Sequence, residues 1–309
     1  MAMQACARFA AIGVAAALVL ALGGCGSDDD QCEPRPTLAV LGAMPSELTP
    51  LLERAAIEET RVIAGRVFHL GNLGGVRVVM VMTGIGLVNA TETTALVLEQ
   101  FAVSGVVFSG VAGSPHRIAD VTVPETWSET GGPSFVTDQA WLALARRAAA
   151  PGVVELERCT EVPPDGPGAE LVCMPFQPEI FVSGRGSSSD PFGGYPVVCR
   201  PGGGDVFGCD PTLTAATAAF APKSIVAQDE ELTVDMETAA MARQAAQRGL
   251  PFIAFRAVSD GAEDPLGLPG FPAQFFAYYR LAARNAASAT VAFLEQLAAQ
   301  VASGDVFCS

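Results

Sequence analysis

The sequence is poor in positive charge, and this shortage narrows the classes of partner it could bind. Lysine and arginine together number 18 against 33 aspartates and glutamates, which gives a formal net charge of -15 at pH 7. A surface that binds nucleic acid needs excess positive charge to neutralise phosphates, and this chain has the opposite balance. We therefore expect no nucleic-acid partner, whereas a small neutral ligand is compatible with the charge.

Potential metal ligands are also scarce. The chain has two histidines, His69 and His116, and its cysteines include no C-x-x-C pair. Structural zinc sites usually combine closely spaced cysteines and histidines, so zinc is the weaker interpretation of the cysteines. We interpret His69 as a strand residue and His116 as a loop residue, and neither lies in a catalytic pattern. No metal and no cofactor are expected.

The start of the chain lacks an apolar run long enough to be a typical transmembrane helix. Phe9 to Leu22 covers about 14 apolar residues after Arg8, whereas a bilayer span needs roughly 20. The run ends in Leu22-Gly23-Gly24-Cys25, which resembles a bacterial lipobox. We expect a signal peptide over residues 1–24 and a lipidated tether over residues 25–36. The protein would then be exported and anchored to a membrane through Cys25, on the periplasmic or extracellular face. The alternative is an ordinary signal peptide with a chance cysteine.

Six cysteines remain when Cys6 and Cys25 are set aside, and an even number in an oxidising compartment indicates disulfides. They are Cys32, Cys159, Cys173, Cys199, Cys209 and Cys308. Sequence alone does not select one pairing among the many that six cysteines allow. Short loops favour Cys159 with Cys173 and Cys199 with Cys209. Cys32 and Cys308 would then join the two termini.

From Thr37 onward, β-branched runs alternate with amphipathic stretches, which is typical of an α/β domain. Predicted strands cover Thr37–Gly42, Val67–Leu70, Val76–Met82, Gly105–Phe108 and Phe252–Val258. Predicted helices cover about Ser46–Glu58, Leu87–Phe101, Met236–Arg248 and Pro272 to about Val301. We therefore expect one α/β domain over residues 37–309, with a central mixed β-sheet flanked by helices. Residues 151–222 are rich in glycine and proline and hold four cysteines, so we interpret them as an enlarged, disulfide-stapled insertion.

Polar residues follow several predicted strands, where α/β sheets usually bind ligands. The segments are Leu41–Glu47, Thr83–Ala90, Val234–Glu237 and Arg256–Gly261. Each has a plain structural explanation when it is taken alone. Glu47 could complement a helix N-terminus, Thr83 could cap a helix, and Asp260 with Gly261 could form a turn.

Taken together, the order and spacing of these segments, with Ser109–Ser114 between them, closely resemble the nucleoside phosphorylase superfamily. Within it, the sequence is most similar to the 5′-methylthioadenosine/S-adenosylhomocysteine nucleosidase branch. The similarity covers Leu38 to about Val123 and Val234 to about Leu297. It implies an enzyme that hydrolyses the N-glycosidic bond of a purine nucleoside, such as methylthioadenosine or S-adenosylhomocysteine, and releases the free base. It also implies a homodimer, because members of this branch complete part of the 5′ pocket with a neighbouring subunit.

The resemblance assigns roles to particular residues. Asp260 would donate a proton to purine N7, with Ser259 holding its carboxyl, and Glu47 would activate the water. Glu237 would accept hydrogen bonds from the ribose hydroxyls, with Met236 against the sugar.

Further contacts are implied around the substrate. Thr83 and Gly84 would lie near the water. Gly113, in a glycine-rich Ser109–Ser114 turn, would pass under the base and ribose. Phe181 is the first candidate to stack on the purine, with Phe207 and Phe192 as alternatives.

Hydrolysis is favoured over transfer to phosphate. Phosphorylases of this superfamily hold phosphate with arginines in the first two glycine loops, since the planar guanidinium suits phosphate. Here Gly42–Met44 and Thr83–Gly86 contain neither arginine nor lysine, and Glu47 would repel phosphate. Two alternatives remain open: a purine nucleoside phosphorylase, and a non-catalytic protein that binds or stores nucleosides. The presence of Glu47, Glu237 and Asp260 together argues against the second.

Overall fold

The computed structural model describes residues 36–129, 131–164, 168–189 and 232–302. Its helices are α1 (Pro45–Leu52), α2 (Leu87–Gln100), α3 (Gln139–Ala148), α4 (Thr238–Gln247) and α5 (Ala273–Ala302). The strands in the first half are β1 (Thr37–Gly42), β2 (Ala56–Ile63), β3 (Arg66–Leu73), β4 (Val76–Met82), β5 (Gly105–Arg117), β6 (Val121–Thr122), β7 (Thr126–Glu129) and β8 (Ser134–Val136). The later strands are β9 (Cys159–Val162), β10 (Glu170–Cys173), β11 (Ile180–Phe181), β12 (Arg185–Ser188), β13 (Leu232–Asp235) and β14 (Phe252–Ala262).

Most strands form one mixed sheet, as the sequence predicted. Its order runs β2-β3-β4-β1-β5, and from β5 it continues both through β13-β12-β7-β8 and through β14-β6-β11. Strands β4, β1, β5 and β14 are parallel to their neighbours in this set. Parallel strands have their carboxyl ends at the same edge of a sheet. The segments that follow β1, β4 and β14 are therefore brought together beside the second half of β5.

The long helix α5 covers one side of the sheet and packs against β14 and β5. Its inner face is built largely from buried alanines, which let the helix approach the strands closely. Aromatic rings fill the wider gaps. Phe293 lies with its ring centroid 5.5 Å from that of Trp141 and 5.3 Å from that of Phe255. This packing fixes the second half of α5 against the first half of β14.

Two predicted elements differ from the structure. The helix predicted to reach Glu58 ends at Leu52, and Ala56–Ile63 instead forms the edge strand β2. Because β2 is exposed along nearly its whole length, it lacks the apolar alternation that marks a half-buried strand. The predicted Ser109–Ser114 turn is wrong as well, since β5 continues to Arg117. His116 therefore lies in a strand rather than a loop. Pairing with β14 extends this strand, as Ala262 faces Arg117.

The described part of the insertion contains the predicted disulfide between Cys159 and Cys173. It joins β9 to β10, whose antiparallel register places the two cysteines opposite each other. The other two predicted pairs lie outside the described residues, as do the signal peptide and Cys25. Within the described ranges, none of the helices has the length and apolar character to cross a bilayer. The same ranges hold no group of three or more His, Cys, Asp or Glu side chains arranged for a metal ion.

Candidate active site

Glu47 lies in the first turn of α1, directly after β1, and only 1% of the residue is exposed. Its Oε2 atom accepts hydrogen bonds from the backbone N–H groups of Ala43 (2.5 Å) and Met44 (3.2 Å). Its Oε1 atom accepts from the N–H of Val111 on β5 at 2.8 Å. Burial raises the pKa of Glu47, while the charge of Arg256 and these N–H groups oppose the rise. Glu47 thus completes the helix N-terminus and also joins it to β5.

The guanidinium of Arg256 lies among three buried carboxylates. It projects from β14, and its Nη2 atom lies 2.8 Å from Oδ2 of Asp235 and 2.8 Å from Oε2 of Glu237. Glu47 is the third acid, and it also favours the charged form of the arginine. Among the described residues, the buried Nε and Nη1 atoms of Arg256 have no hydrogen-bond partner. Unpaired buried donors are costly, so they are groups that an oxygen atom of a ligand or water would satisfy.

Gly110 on β5 lies between Arg256 and Glu47. A Cβ atom at this position would be 2.2 Å from Nη1 of Arg256 and 2.6 Å from Oε1 of Glu47. No side chain fits in that space without moving both groups. The glycine therefore allows an arginine from β14 and a carboxylate from α1 to approach the same point on β5.

Glu237 is the N-cap residue of α4 and connects this cluster to the loop after β4. Its Oε1 atom accepts from the backbone N–H of Gly86 at 2.9 Å, and its Oε2 atom accepts from Arg256. Burial raises the pKa of Glu237 to about 7; Arg256 opposes the rise, and the negative charges of Asp235 and Glu47 add to it. The capacity of Glu237 to accept hydrogen bonds from hydroxyl groups therefore depends on pH near neutrality.

Thr83 and Gly84 form the turn that follows β4. The N–H of Thr83 donates to the carbonyl of Gly42 at 2.8 Å, and its hydroxyl donates to the carbonyl of Gly84 at 2.8 Å. Gly84 and Gly86 have φ angles of 84° and 96°, in the left-handed region that favours glycine. The N-cap of α2 is Gly86, so Thr83 does not cap that helix. It instead joins the ends of β1 and β4.

Asp260 lies near the end of β14, opposite Gly113 of β5. Its Oδ1 atom accepts a hydrogen bond from Ser259 Oγ at 2.8 Å. Burial raises the pKa of Asp260, and the bond from Ser259 partly offsets the rise. A Cβ atom on Gly113 would lie 2.5 Å from Oδ2 of Asp260, so the carboxyl packs directly against the backbone of β5.

The two groups of acids contact β5 at different points. Gly110 and Gly113 are three residues apart, about 10 Å along an extended strand. The strand thus has a carboxylate paired with a guanidinium at one point and a carboxyl with a raised pKa at the other. Chemically, the arrangement offers a base or acceptor at the first point and a proton donor at the second.

Phe181 stacks on His116, with ring centroids 4.3 Å apart and an interplanar angle of 30°. The backbone carbonyl of His116 lies against Gly261, where a Cβ atom would be 2.3 Å from that oxygen. The aromatic pair is therefore near the turn that follows Asp260. In the sequence, His116 could have been linked to the site because it follows Gly113 by only three residues.

The remaining predicted substrate contacts are Met236, Phe192 and Phe207. Met236 lies partly exposed between the buried Asp235 and Glu237. Phe192 and Phe207, the alternatives for stacking on the purine, lie outside the described residues.

Sequence reasoning assigned no role to Arg256 or Asp235. The resemblance pointed to arginines in the first two glycine loops, whereas Arg256 comes from β14. Its signal in the sequence was a charged residue within the apolar run Phe252–Val258, because a charge in a buried strand requires a partner. Asp235 is one such partner beside Glu237, and it also accepts hydrogen bonds from the hydroxyls of Ser188 and Thr238.

A mixed sheet with buried carboxylates gathered at the ends of its strands is typical of α/β proteins that bind small molecules at that edge. The chain belongs to the phosphorylase superfamily, whose family model matches residues 37–295. The fold that the resemblance implied is thereby confirmed.

Relatives within the superfamily include an uncharacterized protein of Mycobacterium tuberculosis, which is 36% identical over 65% of this chain and 88% of its own length. The 5′-methylthioadenosine/S-adenosylhomocysteine nucleosidase of Tolumonas auensis is 28% identical over 84% of this chain and 99% of its own length. Among solved structures, the nucleosidase of the same name from Neisseria meningitidis, in complex with methylthio-immucillin-A, aligns with a TM-score of 0.57. It shares 23% identity and covers 84% of this chain and 98% of that one, which establishes the common fold.

Proposed function

We propose that this protein hydrolyses the N-glycosidic bond of a purine nucleoside, with methylthioadenosine and S-adenosylhomocysteine as candidate substrates. The observation that carries the proposal is the pair of contacts on β5, with Glu47 and Arg256 at Gly110 and Asp260 at Gly113. The similarity to a 5′-methylthioadenosine/S-adenosylhomocysteine nucleosidase over nearly that protein's whole length supports the substrate class.

Asp260 acts as the general acid in this proposal. The bond between C1′ and N9 breaks, and its electron pair moves into the purine, which takes the carboxyl proton of Asp260 at N7. An acid with this task must be protonated near neutral pH, and the burial that raises the pKa of Asp260 supports that state. The hydroxyl of Ser259 orients the carboxyl.

Glu47 acts as the general base. A water molecule attacks C1′, its oxygen forms the new bond to carbon, and one of its protons passes to Glu47. The protons balance, because Glu47 gains one and Asp260 loses one. After the reaction, Glu47 releases its proton to solvent and Asp260 takes one up from solvent. The unpaired Nε and Nη1 donors of Arg256 would hold the water or a ribose hydroxyl beside Glu47. Glu237 accepts from the ribose hydroxyls, with Met236 against the sugar, while Thr83 and Gly84 shape the loop around them.

Water is a better attacking group than phosphate at this site. Arg256 is a buried cation, but Asp235, Glu237 and Glu47 surround it with more negative charge than it carries. A phosphate dianion would meet net repulsion there, whereas neutral water would not. Phe181 remains the proposed stacking partner of the purine, supported by its position near the turn after Asp260.

The cellular setting is part of the proposal and rests on the sequence. The lipobox-like segment ending at Cys25 supports an exported protein anchored to a membrane by lipid, on the periplasmic or extracellular face. The resemblance to the nucleosidase branch supports a homodimer. Sedimentation at micromolar concentration would test the dimer, since a fully active monomer would contradict it.

The decisive experiment measures release of adenine from methylthioadenosine by the purified protein, with and without inorganic phosphate. A nucleosidase releases adenine at the same rate in both and forms the free sugar. A rate that requires phosphate and yields a sugar phosphate would identify a phosphorylase. Tight binding of the nucleoside without any turnover would identify a binding protein.

A further inference from the structure

The turn that follows Asp260 is held by side chains that lie outside the proposed site. It runs from Gly261, in the last two residues of β14, to Leu268, before the start of α5. Asp264 folds this segment back on itself, since its Oδ1 atom accepts from the N–H of Leu266 at 2.9 Å and its Oδ2 atom accepts from the N–H of Leu268 at 2.6 Å. Glu263 has a φ angle of 55°, which a residue other than glycine keeps only where its surroundings hold it.

Two residues of α5, one helical turn apart, fix this segment to the helix. Gln274 uses both ends of its amide: Oε1 accepts from the N–H of Gly261 at 3.0 Å, and Nε2 donates to Asp264 at 3.3 Å. The hydroxyl of Tyr278 donates to the same carboxylate of Asp264. Gln274 is 6% exposed and Tyr278 is fully buried, while Asp264, which both side chains bind, is partly exposed. Burial, together with Asp264, raises the pKa of the Tyr278 phenol, which keeps it a donor.

The backbone at Gly261 has little room to move. A Cβ atom there would lie 2.3 Å from the carbonyl oxygen of His116 and 2.5 Å from Cγ1 of Val258. Gly261 is the residue directly after Asp260, and its N–H is the group that Gln274 binds. The conformation of that peptide therefore sets where the carboxyl of Asp260 points.

We propose that Gln274 is a positioning residue for Asp260, and that Asp264 and Tyr278 hold Gln274 in place. The amide fixes the peptide that joins Asp260 to Gly261, so the carboxyl faces the leaving base and stays shielded from water. This inference rests on the proposed function, because it concerns the acid of that reaction.

The test compares Gln274→Met, which keeps the length of the side chain and removes the hydrogen bonds of its amide, with Gln244→Met. Gln244 is a matched control because it is 9% exposed and lies on α4, where its side chain accepts from Arg248. For methylthioadenosine, we expect Gln274→Met to lower kcat about 10- to 100-fold, because small displacements of catalytic groups have effects of this size. KM should change less than about threefold, and Gln244→Met should behave as the wild type. Tyr278→Phe, which removes only the hydroxyl, should lower kcat by a smaller factor.

A second measurement does not depend on turnover. Carbon-13 NMR of the Asp260 carboxyl follows its titration in each folded variant. In Gln274→Met the titration should move to lower pH than in the wild type, because a relaxed turn admits water to the carboxyl. If Gln274→Met and Tyr278→Phe leave both kcat and this titration unchanged, the positioning role is wrong even when Asp260→Asn is inactive. If Asp260→Asn keeps its activity, the proposed acid is wrong. The titration alone then decides whether Gln274 holds that carboxyl.

Discussion

At the scale of single residues, Arg256 explains how several acids can be buried together. A carboxylate removed from water without a partner is strongly destabilising, and here Asp235, Glu237 and Glu47 share one guanidinium. Burial raises the pKa values of Glu47 and Glu237, and the charge of the single arginine only partly offsets the rise. Three buried acids that share one arginine do not stabilise a fold efficiently. Their position at the ends of the strands agrees instead with a role in the proposed reaction.

Asp260→Asn tests the proposed acid directly. An amide delivers no proton to N7, and loss of general acid catalysis lowers kcat by about 10²- to 10⁴-fold. The measurement is adenine release at saturating methylthioadenosine. Asp138→Asn is a suitable control, because Asp138 caps α3 and accepts from the N–H of Trp141. A rate for Asp260→Asn above about a tenth of the wild-type rate would mean that another group is the acid.

The dependence of kcat/KM on pH tests the assigned charge states. Activity in the proposal requires Glu47 and Glu237 ionised and Asp260 protonated. Since burial raises the pKa of Glu237 to about 7, kcat/KM should rise with pH through about 7. It should fall again at higher pH, where Asp260 loses the proton that its raised pKa retains.

Glu237→Gln supplies the comparison for this profile. The variant should have a lower kcat/KM, because a charged acceptor for the ribose hydroxyls is lost. Its profile should also lose the rise near pH 7. If the rise persists unchanged, the ionisation belongs to a different group, of which Glu47 is the first to examine by Glu47→Gln.

At the scale of elements, β5 organises the site because it is the strand that the other functional segments contact. Its first half pairs with β1 and β14, and at Gly113 it pairs with β13. Its glycines leave room for charged groups that come from α1 and β14. The strand therefore contributes to the site through its backbone, and through Gly110 and Gly113, where no side chain occupies the space that the charged groups need.

The hairpin of β9 and β10 is expected to depend on its disulfide. Replacing both Cys159 and Cys173 by serine removes a covalent link between residues 14 apart in sequence. A link of this span stabilises a protein by about 3 kcal/mol in the chain-entropy view. Urea denaturation of the double variant should show a loss of this order. Adenine release at low temperature should remain near the wild-type rate, because the hairpin contributes no proposed catalytic group.

The contrary result would be equally clear. A free energy of unfolding within about 0.5 kcal/mol of the wild-type value would show that the hairpin is held by packing against α5 instead.

At the scale of the whole molecule, the proposed export and lipid anchor at Cys25 can be tested directly. Cys25→Ser is expected to release the protein from membranes, because the acylated residue is lost. The measurement is fractionation of cells together with the mass of the mature N-terminus. Cys6→Ser is the matched control and should leave the mature protein unchanged, since Cys6 lies within the proposed signal peptide. An unmodified mature chain that begins elsewhere than Cys25 would refute the anchor.

The sequence by itself predicted the superfamily and the mixed α/β sheet, and it favoured the short disulfide loop among several possible pairings. It could do so because these features have local signals: runs of β-branched residues, glycine turns at strand ends, and two cysteines close together. The same local reasoning failed at β2, where an exposed edge strand has no apolar alternation.

Only the tertiary structure decided which buried acids share one arginine and which side chain binds the peptide that follows Asp260. The carboxylate of Glu237 binds the N–H of Gly86, 151 positions away in the chain, and Glu47 binds that of Val111, 64 positions away. Gln274 was unremarkable in sequence until the fold set its amide against Gly261. Such pairs have no local pattern, because the distance between them is fixed by the packing of strands and helices rather than by their separation along the chain.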